Sequence, residues 1–516
     1  MTGGGLYVLV AYGSQNVILS GNPDYTNWYL VLRKHSHFSI ESATLQVDGP
    51  NELFFDESIQ IRAKIQRIGD LLSELYFTFS LPDIYSKYVA PGTRSAQYEF
   101  QWSRYIGAQI IQKASFLVGG TLVQEFDSDY IIAQAQLDQT SAQFAKWREL
   151  VGDVPDLYDP ANGSFSGSPN VSSRTQGLYP NVTQTASPVQ TNAPSIYGRD
   201  VTVPLGFWFS QNPSLALPLV ALQYHECEVQ LQLRPIQSLY TILDPSGSRV
   251  APLNRINSST ADQRLGNVQY LPINEEGMYI RHFLTDFGYQ VPALNTWPLN
   301  PRLQATYVYL TDEERQTFVT KPLDYLVRQL TTFRFENINS RQFFNLYTQN
   351  PVPRILILPR RTDSVPNRNQ WTNYTNWWKY PTAPYIPGNP NAAGSSGLLV
   401  AGVQEDIVQF VRILCDGNEI QEQKPLSYFN TLTPWKYATG SVQPPGLVLY
   451  SFSLESSNMI RPSGSLNSSR VRNFQLDLAP YPLMQGANYL FNFVVYVETY
   501  NFFHVEGGMG GMKFNA

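Results

Sequence analysis

Cysteine is nearly missing from this sequence: Cys227 and Cys415 are the two thiols in 516 residues. A secreted fold framed by disulfides needs more, so that class is excluded and at most one bridge is available. Charged residues are scarce at 15%, no long run of one sign occurs, and the formal net charge of −5 supplies no basic footprint for nucleic acid. No stretch of about 18 uninterrupted apolar residues is present, so no membrane span is expected. The start, MTGGGLYVLVAYGSQ, lacks a positive n-region and a long enough apolar stretch for a signal peptide. Thr2 does not fit N-myristoylation. The expectation is a soluble, non-exported protein made in a reducing compartment. Nor is there a G-x-S-x-G, a P-loop or a Rossmann glycine pattern, so the usual signatures of acyl and phosphoryl transfer are missing.

Aromatics, by contrast, are plentiful at 13%, with 32 Tyr and 28 Phe, a balance that suits strands and extended interfaces. Period-two alternation recurs along the chain. In SIQIRAKIQ, Ile59, Ile61, Ala63 and Ile65 share one face, and Gln60, Arg62, Lys64 and Gln66 the other. ELYFTFSLP repeats the pattern with Leu75, Phe77, Phe79 and Leu81 inward. Such segments are half-buried strands, because successive side chains point to opposite sides of a sheet. IIQKASFLVGGTLVQEF reads as a hairpin turning at Gly119-Gly120, and FVRILCDGNEIQEQ echoes it at Asp416-Gly417. LYSFSLES and NFQLDL alternate, whereas YLFNFVVYVETYNFF is apolar on both sides. One helix is predicted in TSAQFAKWRELVG, from Thr140 as N-cap to Gly152 as stop. Two long segments rich in Gly, Ser, Pro and Asn, 153–203 and 360–400, read as loops, and the polar stretch 236–270 as a junction between two β units.

Few residues bear chemistry. His225-Glu226-Cys227 has metal-ligand types in a row, but zinc needs three or four ligands, and His35, His37, His282 and His504 show no matching spacing. Alternation through Cys227, Val229, Leu231 and Leu233 reads instead as a packed strand, each inward side chain worth roughly 1.5–3 kcal/mol of burial. Asp312-Glu313-Glu314 reads as a cap or solvated turn rather than a pair of glycosidase carboxylates. The aromatic loop around Trp371, Tyr374, Trp377 and Trp378 is a candidate surface, for a neighbouring subunit or for a sugar face, with the loop packing on itself as the plain alternative. Six N-x-S/T sequons occur, of which Asn162, Asn170, Asn181 and Asn373 are candidate glycosylation sites; Asn257 and Asn467 complete the set. No cofactor is expected.

One longer string carries a resemblance. PLGFWFSQNPSLALPLVALQYHECEVQLQL, 204–233, resembles the end of the first jelly roll in major capsid proteins of nucleocytoplasmic large DNA viruses. AYGSQNVILSGNP, RKHSHFSIES, IGAQIIQKASFLVGGTLVQEF, YVYLTDEERQTF, VPRILILPRR, PSGSLNSSR and VEGGMGGMKF fit the same family in the same order, across nearly the whole chain. The resemblance implies an all-β protein of two consecutive eight-stranded jelly-roll sandwiches with long surface loops and one or two short helices. It implies an N-terminal arm (1–24), a first jelly roll (25–240) and a second (241–516). It also implies a structural, non-enzymatic major capsid protein forming homotrimeric, pseudo-hexagonal capsomers of an icosahedral double-stranded DNA virus shell. Neighbouring capsomers, minor capsid proteins and a penton protein are the implied partners, with any inner membrane contacted only indirectly. The implied location is the virion, assembled in host cytoplasm. The alternative is a β-sandwich attachment protein that binds carbohydrate through the 371–378 loop. The sequence departs from the family pattern in both long loops, so surface properties are not carried over.

Overall fold

The computed structural model describes residues 3–10, 13–87, 99–163, 179–182, 193–243, 249–252, 278–376, 405–440, 445–458, 460–483 and 489–514. The alternating segments are strands. Ile59, Ile61 and Ala63 are buried while Gln60, Arg62 and Lys64 between them are exposed, the period of a sheet with one wet face. Eight such strands build a first lobe: β1 (Phe38–Leu45), β2 (Ile59–Lys64), β3 (Leu71–Leu81), β4 (Ile111–Val118), β5 (Thr121–Asp127), β6 (Arg199–Pro204), β7 (Cys227–Leu233) and β8 (Arg302–Leu310). They pair antiparallel in the orders β1-β8-β3-β6 and β2-β7-β4-β5.

The second lobe repeats the scheme. Its strands are β9 (Leu323–Ile338), β10 (Gln342–Asn345), β11 (Arg354–Arg361), β12 (Val408–Cys415), β13 (Asn418–Pro425), β14 (Val448–Ser451), β15 (Phe474–Pro480) and β16 (Phe491–Glu506). The orders are β9-β16-β11-β14 and β10-β15-β12-β13, so each lobe runs 1-8-3-6 and 2-7-4-5 in its own strands. A closing strand, β17 (Met509–Met512), folds back on β16. Both lobes are jelly rolls, two sheets face to face over one core.

Helices sit where strands must cross between sheets. α1 (Ser128–Asp138) and α2 (Ser141–Leu150) follow β5. Thr140 caps α2 in a capping box with Gln143, and Gly152 follows at φ +75°. α3 (Asp312–Thr320) joins the lobes and has no buried residue. α4 follows β13 as a π-turn (Tyr428–Leu432) running into an α-helix (Thr433–Tyr437).

Two placements differ from the sequence reading. The stretch 302–310, assigned there to the second unit, is the central strand β8 of the first lobe, because Leu303, Ala305 and Tyr307 point into that core. The loop assigned to 153–203 ends in strand β6, whose Val201 and Val203 are buried. Much of the segment 236–270 lies outside the described residues, as does most of 360–400.

Candidate functional site: the seam between the lobes

Apolar burial falls into two clusters, and they do not follow the lobes. One lies wholly within the second lobe. The other fills the first lobe and takes in Leu356, Leu358, Leu449, Val494 and Tyr496, on the outer face of sheet β9-β16-β11-β14. That face is therefore turned onto the first lobe. This explains why β16 is apolar on both sides: one side fills its own sandwich and the other the seam.

The first lobe meets it with β5 and α1. Edge strand β9 runs beside edge strand β5, joined by side-chain amides rather than a ladder. Gln124 Nε2 donates to the Arg328 carbonyl at 3.1 Å, and Gln329 Nε2 to the Val123 carbonyl at 3.2 Å. Gln124 Oε1 accepts from the Trp208 N–H at 3.0 Å, which fixes the amide's orientation. α1 is buried on nearly every side, as expected of a helix covered from both flanks.

A buried ion cluster completes the seam. Glu498 accepts from Arg354 Nε at 2.6 Å, from Arg328 Nη1 at 3.0 Å and from the Tyr130 hydroxyl at 3.0 Å. Arg354 also grips Asp138 with both terminal nitrogens, at 2.6 and 2.8 Å. Arg328 Nη2 donates to the Ser456 carbonyl at 2.7 Å. Burial opposes the charge on Arg354, but Asp138 and Glu498 outweigh it and raise its pKa. Burial, with Glu498 adding, pushes the Tyr130 hydroxyl far up, so it stays a donor. Arg360 holds Asp129 at 2.6 Å, and the Tyr496 hydroxyl donates to Asp127. Two cations face two anions around Glu498. Such a cluster adds little net stability over apolar packing, but losing one member leaves the others uncompensated, which makes the docking specific. It offers a weld, not a reactive group.

A second contact closes the seam at the far end of β16. The β16–β17 hairpin turns at Gly507-Gly508 and lies on the first lobe, with the Tyr224 N–H donating to the Gly508 carbonyl at 2.9 Å. Gly508 has φ +84°, and a Cβ there would stand 2.6 Å from the Tyr224 ring. His225 Nδ1 meets the Gly510 backbone, 2.9 Å from its oxygen and 3.2 Å from its nitrogen. Its ring covers Gly119, φ +57°, where a Cβ would stand 2.9 Å away. His225 is thus a clasp between the lobes, with the Gly119-Gly120 turn shaped beneath it. Cys227 lines the core, and burial pushes its thiol up to about 12.

The other candidate residues fall elsewhere. Trp371 Nε1 donates to the Ser238 carbonyl at 3.0 Å, and the Arg234 guanidinium sits 3.7 Å from its ring centre. Tyr374 is 1% exposed and belongs to the first apolar cluster. Tyr374 packs inward beside buried Arg360, and half-buried Trp371 lies against half-buried Arg234, each ring facing a guanidinium. Trp377, Trp378 and Asn170 lie outside the described residues. Asn373 is 4% exposed and accepts from the Thr375 N–H and hydroxyl, so the folded chain offers no glycan site there. Asn162 is exposed and donates to Asp159, and Asn181 is half-buried. Asp312, Glu313 and Glu314 form the first turn of α3, where acids suit the helix dipole. Among the described residues, no group of three His, Cys, Asp or Glu is placed to hold a metal, and no helix is long and apolar enough to cross a membrane.

Arg328, Arg354, Glu498 and Asp138 escaped the sequence reading because 170 residues separate Arg328 from Glu498. The available signal was Glu498 itself, a lone acid inside a doubly apolar strand.

Comparison with known proteins bears on the same two lobes. Residues 26–271 match the family described as major capsid protein N-terminus, and 314–511 the family described as large eukaryotic DNA virus major capsid protein. The major capsid protein of Phaeocystis pouchetii virus is 25% identical, with 99% of each chain covered. That of Paramecium bursaria Chlorella virus 1 is 24% identical, again over 99% of each. Among solved structures, the PBCV-1 virus capsid quasi-atomic model superposes with a TM-score of 0.65 at 19% identity, covering 95% of this chain and 100% of that one. The Faustovirus major capsid protein gives 0.63 at 14% identity, covering 96% and 95%.

Proposed function

The chain belongs to the large eukaryotic DNA virus major capsid protein family, a structural and non-enzymatic family of the virion shell, and from that premise we propose that three copies close into one capsomer. The observation that carries this is the identical strand order of the two welded lobes. A ring of three chains presents six similar lobes, which fills a hexagonal lattice with a threefold assembly. The contact between copies buries upward of about 2,000 Å², the scale of obligate interfaces. Neighbouring capsomers, minor capsid proteins and a penton protein are its further partners, and host cytoplasm its place of assembly. We place the division between lobes at α3, and read 1–24 as an arm along the inner face, ordering against neighbours or minor shell proteins. Its apolar side chains, Leu6, Tyr7, Ile18 and Leu19 among them, are exposed in the single chain. Asn162 remains a candidate glycan site, to be checked by intact mass. Light scattering on the purified full chain tests the capsomer: a trimer mass is expected, and a stable monomer would sink it. The carbohydrate-binding alternative is not supported: Tyr374 is buried, and Trp371 is half-buried with its indole N–H on the Ser238 carbonyl.

A further inference from the structure

The contact that joins the two lobes of one chain has both of its halves duplicated elsewhere on the molecule, unused. Within the chain, the first strand of the second lobe, β9, lies beside the fifth strand of the first lobe, β5, through Gln124 and Gln329. The corresponding strands of the opposite lobes are β1, first strand of the first lobe, and β13, fifth strand of the second. Among the described residues β1 pairs only with β8, and β13 only with β12. Both are open edges.

The correspondence extends to single residues. β5 begins after the Gly119-Gly120 turn and β13 after the Asp416-Gly417 turn, so Val123 and Gln124 occupy the positions that Ile420 and Gln421 hold in β13. Val123 and Gln124 are buried under β9. Ile420 is 40% exposed, and Gln421, half-buried, donates among the described residues to the neighbouring Glu422 carbonyl. On the other side, β1 exposes Phe38 (47%) and Ile40 (61%), whereas β9 buries Val327 and Arg328 where it lies beside β5. The sheet faces agree. The outer face of β9-β16-β11-β14 is covered by the first lobe, and the matching outer face of β1-β8-β3-β6 is open, with Tyr76, Thr202 and Gln304 half-exposed. Unpaired edges with exposed apolar residues invite another chain unless something covers them.

We propose that β1 of one copy lies along β13 of the next, as β9 lies along β5 within a chain, with Gln421 donating to a main-chain carbonyl of β1 as Gln124 donates to that of Arg328. The contact is heterologous: the two patches differ and sit on opposite lobes, so each copy gives one and receives one. Such a contact closes at a rotation of 120° into a ring of three. The inference rests on the trimer reading above and adds which surfaces make it.

The test uses the full-length chain. Ile40→Lys and Ile420→Glu place single charges at exposed positions, so folding, followed by circular dichroism melting, should be unchanged. Each alone should weaken association more than tenfold by light scattering, and Ile40→Lys with Ile420→Glu together should restore the trimer mass. In a second arm, Ile40→Cys with Gln421→Cys should give covalently linked dimers and trimers on non-reducing gels. The native thiols, both buried, supply no competing exposed sulfur. A wild-type trimer that keeps its mass in both single variants and gives no crosslink overturns the inference and leaves the trimer standing. A monomeric wild type overturns both.

Discussion

Sheets β1-β8-β3-β6 and β9-β16-β11-β14 share one strand order, and their outer faces meet opposite fates. In the first lobe that face is polar. Thr78 and Thr202 hydroxyls bond across strands at 3.1 Å, and Asp200 takes Ser80 at 2.6 Å and Arg302 at 2.7 Å, with both ion-pair partners about half exposed. In the second lobe the face is Leu356, Leu358, Val494 and Tyr496 around the buried Glu498 cluster. The jelly roll does not dictate which face is dry. The neighbour does, and the side chains record it: β11 is buried at every position, while β8 alternates along its inner half.

The sharpest way to break that comparison is one charge on each face. Leu358→Asp puts an unpaired carboxylate into the seam and should abolish soluble, folded protein, whereas Gln304→Asp on the open face should shift stability by about 0.5 kcal/mol or less. Equal yields from the two would show that the seam is not buried. Next, Glu498→Gln leaves Arg328 and Arg354 with one anion between them and should cost about 3–5 kcal/mol in urea unfolding. Asp200→Asn, which loses an exposed pair, should cost less than about 1 kcal/mol. The clasp is finer still. Gly119→Ala and Gly120→Ala both force a side chain into positive φ, about 1–2 kcal/mol each, but only Gly119 lies under His225, so its thermal midpoint should fall further.

The smallest effect concerns His504, which meets Asp324 at 2.7 Å and Glu506 at 3.2 Å at the base of the hairpin, with Lys513 also on Asp324. The hydrogen bond to Asp324, and then that to Glu506, raises its pKa above the ordinary 6.5. Its stabilisation is therefore complete below that value and fades as pH rises through the raised pKa. Melting profiles of the wild type and His504→Gln should converge at alkaline pH; a constant gap would show that the charge is irrelevant.

Much of this was readable beforehand. Strands β2, β3, β7 and β15 announce themselves by alternation, both hairpin turns by their glycines, and α2 by Thr140 and Gly152. Each signal is local, settled within a few residues by pleat or cap. α1 was missed because its flanks are covered on both sides, so it lacks the apolar stripe that marks a surface helix. β8 reads as part of the second unit because pairing partners 224 or more residues away leave no mark on the strand itself. The aromatics at 371 and 374 leave three readings open for a related reason: a ring that packs on its own chain's arginine and one that waits for a partner look alike in a string.

The order 1-8-3-6 has a further consequence. In each lobe the eighth strand stands between the first and third, so neither sheet exists as such until that strand has been synthesised and threaded into the gap. Until Glu498 arrives on β16, Arg328 and Arg354 are cations with no buried anion from their own lobe. A chain elongated past β8 thus carries a first sandwich with all eight strands and a second that still lacks its keystone, and a polypeptide that stops short of β16 has no completed second lobe. The seam, whose second-lobe half includes Val494, Tyr496 and Glu498, is therefore completed last of all, by the final long strand of the chain.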